Sequence, residues 1–338
     1  MSPNMAARDF EELLHKYDFV PNRALGQNFL ISRRAVLSIA DELELSDADT
    51  VLEIGAGTGQ LTRELASRAK RVIAVELDRR LEPLLKSYLS DFIRRENDYS
   101  LINKPDYVKV GKTNQGDEDN AGNKSLDMTE HNHNVELIWS DVLKIDLQAL
   151  LEAHGVDARD VKIAANLPYY ATTDIMQKLL AELPMSKKML LTVQREAVAR
   201  ITASPGSKQF GPLAVLTSLY GEIKTVMKLS PQDFWPQPDI SSSLLALTSG
   251  SDSLLGGIQS GPDFVDFLIN VFQQRRKQFM GRLRKEGKFV TFPVLEKVLS
   301  DFILKNSLKT DFRIEDLRPE QLLNLHQQII AGRAYSFQ

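Results

Sequence analysis

The sequence predicts an α/β protein with a largely parallel sheet and a small all-α region near its end. The main observation is the stretch of residues 51–76, where an apolar strand, a glycine turn, a helical pattern and a second strand follow one another. Two more apolar strands, at residues 135–139 and 161–165, lead directly into polar residues. Beyond residue 261, apolar side chains recur at helical spacing, which predicts the all-α region.

The glycine turn suits a nucleoside-containing cofactor. Gly55, Gly57 and Gly59 let the backbone bend tightly and let a ligand approach the main chain. Gln60 stands where the dinucleotide-binding fingerprint has its last glycine, so the turn favours a cofactor without a pyrophosphate, such as S-adenosylmethionine. Glu76, at the end of the second strand, can accept both hydroxyls of a ribose. A tight turn without a ligand is the alternative, and Glu76 makes ligand binding the better interpretation.

The composition is that of an ordinary globular protein and excludes several chemistries. The chain has 338 residues, enough for about two domains, and a net charge of −3, so any nucleic-acid-binding surface must be local. It has no cysteine, which excludes disulfides, thiolate zinc sites and iron–sulfur clusters, and we expect no metal. The absence of cysteine also excludes an enzyme thiolate that adds to a pyrimidine ring. If the protein is a methyltransferase, its target atom must therefore attack the methyl group directly.

The apolar pattern of the sequence bears on localisation, and residues 1–32 indicate how the first part of the chain is arranged. The sequence has no apolar run long enough to span a membrane and no signal-peptide pattern, so we expect a cytoplasmic protein. Residues 1–20 are expected to form a loosely held tail with one or two amphipathic turns. Residues 26–31 form a polar kink followed by an apolar plug, which is either a docking segment or a flap whose Asn28 and Leu30 contact the methionine end of the cofactor. Ser32 is suited to cap the helix that follows.

After the second strand, a helix is predicted over residues 78–95 and a surface insertion over residues 96–134. The stretch from residue 96 to 136 has nine acids, four lysines and few apolar residues, so the insertion is expected to be mobile. Asp141 directly follows the next strand and therefore lies at the edge where parallel sheets bind ligands. Its carboxylate can accept a hydrogen bond from an adenine amino group, which completes an adenosine pocket with Gly55 and Glu76.

The strand at residues 161–165 ends in the tetrad Asn166, Leu167, Pro168 and Tyr169, which we interpret as the chemical centre. The lone pair of an exocyclic amine is delocalised into its ring. The Asn166 carboxamide oxygen and the Leu167 carbonyl can accept both N–H groups and favour a nucleophilic nitrogen. Pro168 restricts the direction of that carbonyl, and Tyr169 can stack on a flipped-out base. The alternative is a proline-terminated strand with a surface tyrosine, which the adjoining adenosine pocket disfavours.

The rest of the chain supplies further strands, helices and a basic segment. Strands are predicted at 187–193, 222–229 and 242–247, helices at 195–201, 294–302 and 319–330, and a linker at 249–261. Phe264, Phe267, Leu268, Val271 and Phe272 form one apolar face of a further helix. Residues 273–288 carry seven basic residues and one acid, and such a run is either a solvated face or a set of phosphate contacts.

Taken together, these motifs resemble those of the small-subunit rRNA adenine dimethyltransferases. The similarity extends from about residue 20 to about residue 320, over many separate motifs in one order. The motifs are GQNFL at 26–30, EIGAGTG at 53–59, ELD at 76–78, NLPY at 166–169, QREA at 194–197 with Arg200, PGS at 205–207, FWPQP at 234–238, Ser242 and RRK at 275–277. The insertion at 96–134 departs from the family pattern.

This resemblance implies a class I S-adenosylmethionine-dependent methyltransferase domain over residues 21–250, with a mixed seven-stranded sheet. It also implies a small helical C-terminal domain over residues 258–338 that contacts RNA. The implied acceptors are two adjacent adenosines in a hairpin near the 3′ end of small-subunit rRNA, within immature small subunits. Each adenosine would become N6,N6-dimethyladenosine.

The resemblance also assigns residues by position. The implied cofactor contacts are Asn28, Leu30, Gly55, Gly57, Glu76, Asp141 and Asn166. The implied base-handling residues are Asn166, Leu167, Pro168 and Tyr169, with Phe234 as a second stacking partner. The implied RNA contacts are Arg200, Arg275, Arg276 and Lys277.

Three alternatives remain open. A large-subunit rRNA adenine methyltransferase of the antibiotic-resistance type shares the tetrad, although the RRK motif and the longer C-terminal region favour the small-subunit enzyme. The protein could also act chiefly as a checkpoint in small-subunit assembly, with methylation as its exit step. A DNA adenine methyltransferase would need a sequence-reading domain, and no such segment is visible. We expect a monomer, because nothing such as a heptad repeat argues for an oligomer.

Overall fold

A computed structural model describes residues 7–93, 133–250, 253–258, 260–273, 292–309 and 312–335. Nine strands lie within these ranges. In chain order they are β1 (Phe29–Leu30), β2 (Thr50–Ile54), β3 (Arg71–Glu76), β4 (Val135–Trp139), β5 (Val161–Asn166), β6 (Lys188–Gln194), β7 (Gly221–Leu229), β8 (Phe234–Trp235) and β9 (Ser242–Ser249). Seven of them form one sheet in the order β4-β3-β2-β5-β6-β9-β7, and β1 pairs with β8 in a second, two-stranded sheet.

Eleven α-helices surround the large sheet in the same part of the chain. They are α1 (Ala7–Lys16), α2 (Arg33–Glu42), α3 (Gln60–Ala66), α4 (Glu82–Tyr88), α5 (Leu147–Ala153), α6 (Thr172–Glu182), α7 (Arg195–Ile201), α8 (Pro212–Tyr220), α9 (Gly261–Phe272), α10 (Phe292–Lys305) and α11 (Pro319–Tyr335). None of the described helices combines the length and apolar character needed to cross a membrane. The mixed seven-stranded sheet confirms the predicted fold class.

Strand β9 runs antiparallel to its neighbours β6 and β7, whereas the other paired strands of the large sheet are parallel. Both faces of the central strands are covered, which explains why β2, β3, β5 and β6 are largely apolar, whereas the edge strand β7 is mostly exposed or half-buried. In β2, Leu52 packs on the face that carries α5 and α6, and Val51 packs on the face that carries α2 and α3. The strand order reverses at β2, between β3 and β5, where α/β sheets bind their ligands.

The C-terminal helices share a core with one face of the sheet. Phe264 and Phe267 of α9 are fully buried, and both rings lie 5.1 Å from the ring of His326 on α11. This confirms the predicted apolar face of α9. The segment predicted as a linker is instead packed: Leu255 is buried, and a Cβ on Gly261 would lie 1.9 Å from the Ala181 carbonyl oxygen. The small residues there allow close approach, and the division into two domains stays a prediction.

The beginning of the described chain is also more tightly packed than predicted. Residues 7–16 form α1, and its side chains Phe10 and Leu14 are buried, as is Phe19 after it. Phe10 contacts the rings of Phe29 and Trp235, with centroid distances of 6.0 and 5.7 Å. The prediction of a loosely held tail was therefore wrong for residues 7–20, because the aromatic partners of α1 lie far away in sequence.

The helix predicted over residues 78–95 is shorter in the structure. A 3-10 turn at Arg79–Leu81 precedes α4, which ends at Tyr88. The chain then turns so that Ile93 forms a parallel bridge with Val135, an extension of the sheet that local sequence does not reveal. The predicted insertion lies mostly outside the described residues. Its last predicted residue, Asn134, is instead buried and donates two hydrogen bonds of 2.8 Å to the carbonyls of Ala66 and Ala69.

A buried ion pair ties the C-terminal end of α5 to β4. His154 Nε2 lies 2.8 Å from Glu136 Oε1, and its Nδ1 lies 2.6 Å from the Leu150 carbonyl oxygen. Both side chains are less than a tenth exposed. The hydrogen bond that His154 donates to the Glu136 carboxylate raises the pKa of His154, and burial opposes that shift. Because the folded pKa exceeds the unfolded value of about 6.5, the pair stabilises fully below that pH and loses this contribution as pH rises through the folded pKa.

We therefore expect Glu136→Gln to lower the free energy of unfolding by about 2 kcal/mol near pH 6 and by less at higher pH. Urea unfolding at several pH values between 5.5 and 9 would measure the difference from the wild type. Asp157→Asn, which breaks an exposed pair with Arg159, is the control and should show no such trend in this range. A difference that stays constant across the pH range would contradict a role for the charged histidine.

Candidate active site

One pocket lies at the carboxyl ends of β2, β3, β4 and β5, at the point where the strand order reverses. Residues from all four strand ends line it: Ile54 and Gly55 at the end of β2, Glu76 and Leu77 at the end of β3, Ser140 and Asp141 after β4, and Asn166 to Tyr170 at the end of β5. The segment from Leu25 to Phe29, which we call the flap, closes it from one side. The topology thus brings together the acids, glycines and tetrad that the sequence singled out.

The glycine turn has a backbone that only glycine adopts at low cost. Gly55 has a φ of +81° and Gly57 a φ of +56°, both in the left-handed region. Gly55 N–H donates to the Val75 carbonyl at 2.8 Å, which ties the turn to β3. A Cβ on Gly57 would lie 3.1 Å from Cδ1 of Phe29, so the flap packs directly on the turn. At these two glycines no side chain therefore covers the main chain where it faces the pocket.

Glu76 is held by the main chain around it. Its Oε2 accepts the N–H of Gly57 and its Oε1 that of Asp78, each at 2.8 Å. Burial raises the pKa of Glu76, and these backbone hydrogen bonds oppose the shift. Each oxygen keeps a second lone pair, so the carboxylate can still accept the two hydroxyls of a ribose. This fixed, buried acid fits the adenosine part of S-adenosylmethionine.

Asp141 sits at the outer end of the pocket. Its Oδ1 accepts the N–H of Leu143 at 3.0 Å, so the side chain caps the short turn after β4. The side chain is 30% exposed. Leu77 and Leu143 are exposed apolar side chains that line the same end of the pocket. These two leucines with an acceptor nearby suit an adenine ring with its amino group, and the role of Asp141 stays a prediction.

The flap is tied down by a two-residue ladder. In it Phe29 pairs with Trp235 and Leu30 with Phe234, and the Ile31 N–H donates to the Asp233 carbonyl. Asn28 and Phe29 line the pocket, whereas Leu30, which follows Phe29 in β1 and so points to the other side, is buried outside its lining. The sequence analysis assigned Leu30 to the cofactor and did not single out Phe29, because the pairing of β1 with β8 that orients these side chains is not visible in local sequence.

Asn166 connects the tetrad to this flap. Its Nδ2 donates to the Asn28 carbonyl at 2.9 Å, which leaves Oδ1 as the acceptor. Among the described residues no donor occupies that oxygen. The Pro168 carbonyl accepts both the Ala171 N–H and the Thr172 hydroxyl at 3.1 Å, which fixes the turn after Leu167. The tetrad therefore presents a carboxamide oxygen on a rigid turn, beside the pocket that the glycine turn lines.

The two aromatic residues assigned to base stacking differ in position. Tyr169 lines the pocket, and its hydroxyl is hydrogen-bonded to Ser242 Oγ at 2.8 Å. Burial raises the pKa of Tyr169, so the phenol is neutral at physiological pH. Phe234 is 1% exposed and lies outside the pocket lining, because the ladder with Leu30 draws it into the core. The structure thus differs from the prediction for Phe234.

Comparison with known families assigns the chain. The family model described as ribosomal RNA adenine dimethylase matches residues 19–107 and 123–329. The chain belongs to this family. The gap between the two matched parts falls inside the predicted insertion, and the matched parts include every residue that lines the pocket.

Relatives and solved structures agree with this assignment. A protein of Bacillus pumilus named ribosomal RNA small subunit methyltransferase A is 34% identical over 81% of this chain and 80% of its own. A protein of the same name from Alkaliphilus oremlandii is 31% identical over 86% of each. Two solved structures share the class I methyltransferase fold. They are a dimethyladenosine transferase from Plasmodium falciparum (TM-score 0.58, 19% identity, 89% of this chain and 97% of that one) and the 23S rRNA methyltransferase ErmE (0.51, 22%, 89% and 99%).

The predicted RNA contacts are only partly visible. Arg200 of α7 is exposed and lines a second groove at the same edge of the sheet, together with Gln194 and Lys208. Arg275, Arg276 and Lys277 lie outside the described residues. Their role in RNA binding stays a prediction, as does that of Arg200. In the part of the chain that is described, no group of three or more histidines or acids is arranged to hold a metal ion.

Beneath the glycine turn lies a buried acid that the sequence analysis did not use. Glu53 of β2 is 1% exposed, and neither carboxyl oxygen has a hydrogen-bond partner among the described residues. Burial raises its pKa to about 8; the nearby Thr62 hydroxyl lowers the value, and the Glu76 carboxylate raises it further. Glu53 is therefore protonated at pH 7, so it adds no further negative charge beside Glu76, which already has the Asp78 carboxylate nearby.

This protonation has a measurable cost. In the unfolded chain Glu53 has a pKa near its ordinary 4.5, so the folded state binds one extra proton between pH 4.5 and about 8. The contribution of Glu53 to wild-type stability is fully present below that window and is lost as pH rises through it, by about 3 kcal/mol at pH 7. Glu53→Gln cannot ionise, so its stability relative to wild type should rise with pH across the window. Chemical unfolding of both would measure it, with exposed Glu196→Gln as control. A pH-independent difference would contradict a protonated Glu53.

Proposed function

We propose that the protein dimethylates N6 of two adjacent adenosines in the 3′-terminal hairpin of small-subunit rRNA, with S-adenosylmethionine as donor. Family membership and relatives named small subunit methyltransferase A support this. The observation that carries the proposal is the Asn166 carboxamide, which is fixed by Asn28 with its oxygen available beside the glycine pocket. We further propose that the protein works as a monomer in the cytoplasm and acts on immature small subunits.

The pocket fits the donor in each of its parts. Glu76 would hold the ribose hydroxyls, Asp141 the adenine amino group, and the bare main chain at Gly55 and Gly57 would approach the ligand closely. Asn28 and the neighbouring Phe29 would close over the methionine end. When bound there, S-adenosylmethionine supplies an electrophilic methyl group.

The tetrad orients the acceptor. In the first transfer, Asn166 Oδ1 and the Leu167 carbonyl each accept one N–H of the target amine, which turns the nitrogen lone pair out of conjugation with the ring. In the second transfer one of these acceptors holds the single N–H that remains. Pro168 fixes the Leu167 carbonyl through its own restricted φ. Tyr169 stacks on the base that has been flipped out of the RNA. The methylated nitrogen is acidic, so we assign no side chain as general base.

The alternative with a specific observation behind it is methylation of large-subunit rRNA. ErmE shares the fold, but at 22% identity this similarity supports the architecture alone. The small-subunit reading has support from relatives above 30% identity that cover four fifths of the chain. The two readings differ in which RNA receives the methyl group, which the next experiment measures.

Asn166→Ala should reduce methyl transfer by about 10²–10³-fold, because it removes a preorganised group that acts on the reacting nitrogen. The assay measures transfer from labelled S-adenosylmethionine to immature small subunits, mature small subunits, large subunits and naked RNA. N6,N6-dimethyladenosine near the 3′ end of small-subunit rRNA is expected with the wild type. Label in large-subunit RNA alone would overturn the proposal in favour of the resistance-type enzyme. Cofactor binding without transfer to any RNA would indicate an assembly factor.

Ser242→Ala tests how Tyr169 is held. Loss of the hydrogen bond to the Tyr169 hydroxyl frees the ring to rotate, so kcat should fall about tenfold while cofactor affinity stays near that of the wild type. Tyr169→Phe removes the same bond from its other end. The two changes together should therefore cost no more than one alone, as a double-mutant cycle would measure. Additive losses would contradict a shared role.

A further inference from the structure

Tyr170 stands out by its exposure. The residue is 59% exposed, and no other phenylalanine, tyrosine or tryptophan whose side-chain burial is described is as open to solvent. The other exposed large apolar residues are aliphatic. Tyr170 directly follows the tetrad and also lines the mouth of the pocket. An aromatic face kept in solvent beside an active site needs an explanation other than packing.

The ring is nevertheless held in place on its inner side. Its Cδ1 lies 3.2 Å from the position that a Cβ on Gly26 would take. Gly26 has a φ of +59°, so both its backbone conformation and the space around it favour glycine. Tyr170 thus rests on bare flap backbone on one side and is open to solvent on the other. A tyrosine has few rotatable bonds, so a further ordering cost on binding is small.

The position of the ring selects its partner. In the proposed reaction one adenosine enters the pocket and stacks on Tyr169, while the adjoining nucleotide stays covalently attached at the mouth. Tyr170 is the next residue and offers a free aromatic face there. Stacking on aromatic side chains is a general way to bind unpaired bases, and it needs no particular base edge.

We propose that Tyr170 is a stacking platform for the nucleotide next to the adenosine being methylated. The proposal rests on the proposed function, because it takes the substrate to be two adjacent adenosines. Tyr169 would then stack on the reacting base, and Tyr170 would stack on the neighbouring one. When the second adenosine enters the pocket, the platform holds the dimethylated first one.

Three variants of the full chain test the platform: Tyr170→Phe keeps the aromatic face, Tyr170→Leu keeps apolar bulk without it, and Tyr170→Ala removes both. Leucine and alanine should raise the KM for immature small subunits about tenfold, with the dissociation constant for S-adenosylmethionine unchanged. Phenylalanine should keep the wild-type KM for RNA. Leu304→Ala, which truncates an 82% exposed side chain on α10, is the control for loss of exposed apolar surface.

A second readout follows each adenosine separately. Mass spectrometry of the 3′-terminal fragment should show that leucine and alanine variants accumulate RNA with one dimethylated and one unfinished adenosine. Wild-type KM in all three variants would overturn the platform and leave the proposed function intact. Equal loss of affinity for cofactor and RNA in the leucine variant would also overturn it, since the ring would then only pack the flap. Absence of transfer by the wild type would overturn the proposed function and the platform with it.

Discussion

The hydrogen bond from Asn166 Nδ2 to the Asn28 carbonyl is the interaction on which the candidate site depends most. A carboxamide has a donor end and an acceptor end, and this bond assigns them. With the nitrogen engaged by the flap, the oxygen is the end that remains for an amine. The same bond closes the flap over the pocket, so cofactor enclosure and acceptor orientation share one contact.

That contact can form because the sheet and the ladder fix its two partners independently. Asn166 is the last residue of β5, a central strand buried on both faces. Asn28 precedes β1, which is held by β8 and by the rings of Phe10 and Phe19 around Phe29. Rigid elements on both sides keep a hydrogen bond between distant segments at a productive length. The N-terminal helix therefore supports the site although it contacts none of the proposed ligands.

Local sequence patterns predicted the separate parts of this candidate site, but they could not predict contacts between residues that are far apart in the chain. The strand, turn and strand around Gly55 and Glu76 lie within one short stretch, so their spacing was enough. The position of Phe234 depends on its pairing with Leu30, two hundred residues away in sequence, and that pairing buried the ring against expectation. Likewise, nothing near Glu53 in the sequence distinguishes a buried, protonated acid from an ordinary one. Its pKa is set by tertiary packing.

Four consecutive flap residues, from Gly26 to Phe29, each contact a different part of the site. Gly26 lies against Tyr170. The Gln27 side-chain amide donates to Asp78 at 2.8 Å, next to Glu76, the proposed ribose ligand. Asn28 accepts from Asn166, and Phe29 packs on the glycine turn. A single segment held by the β1–β8 ladder therefore lies against both the proposed cofactor side and the proposed RNA side of the site. Under the proposed function, any coupling between the two ligands through this segment is reciprocal by linkage: cofactor and RNA would change each other's affinity by the same factor.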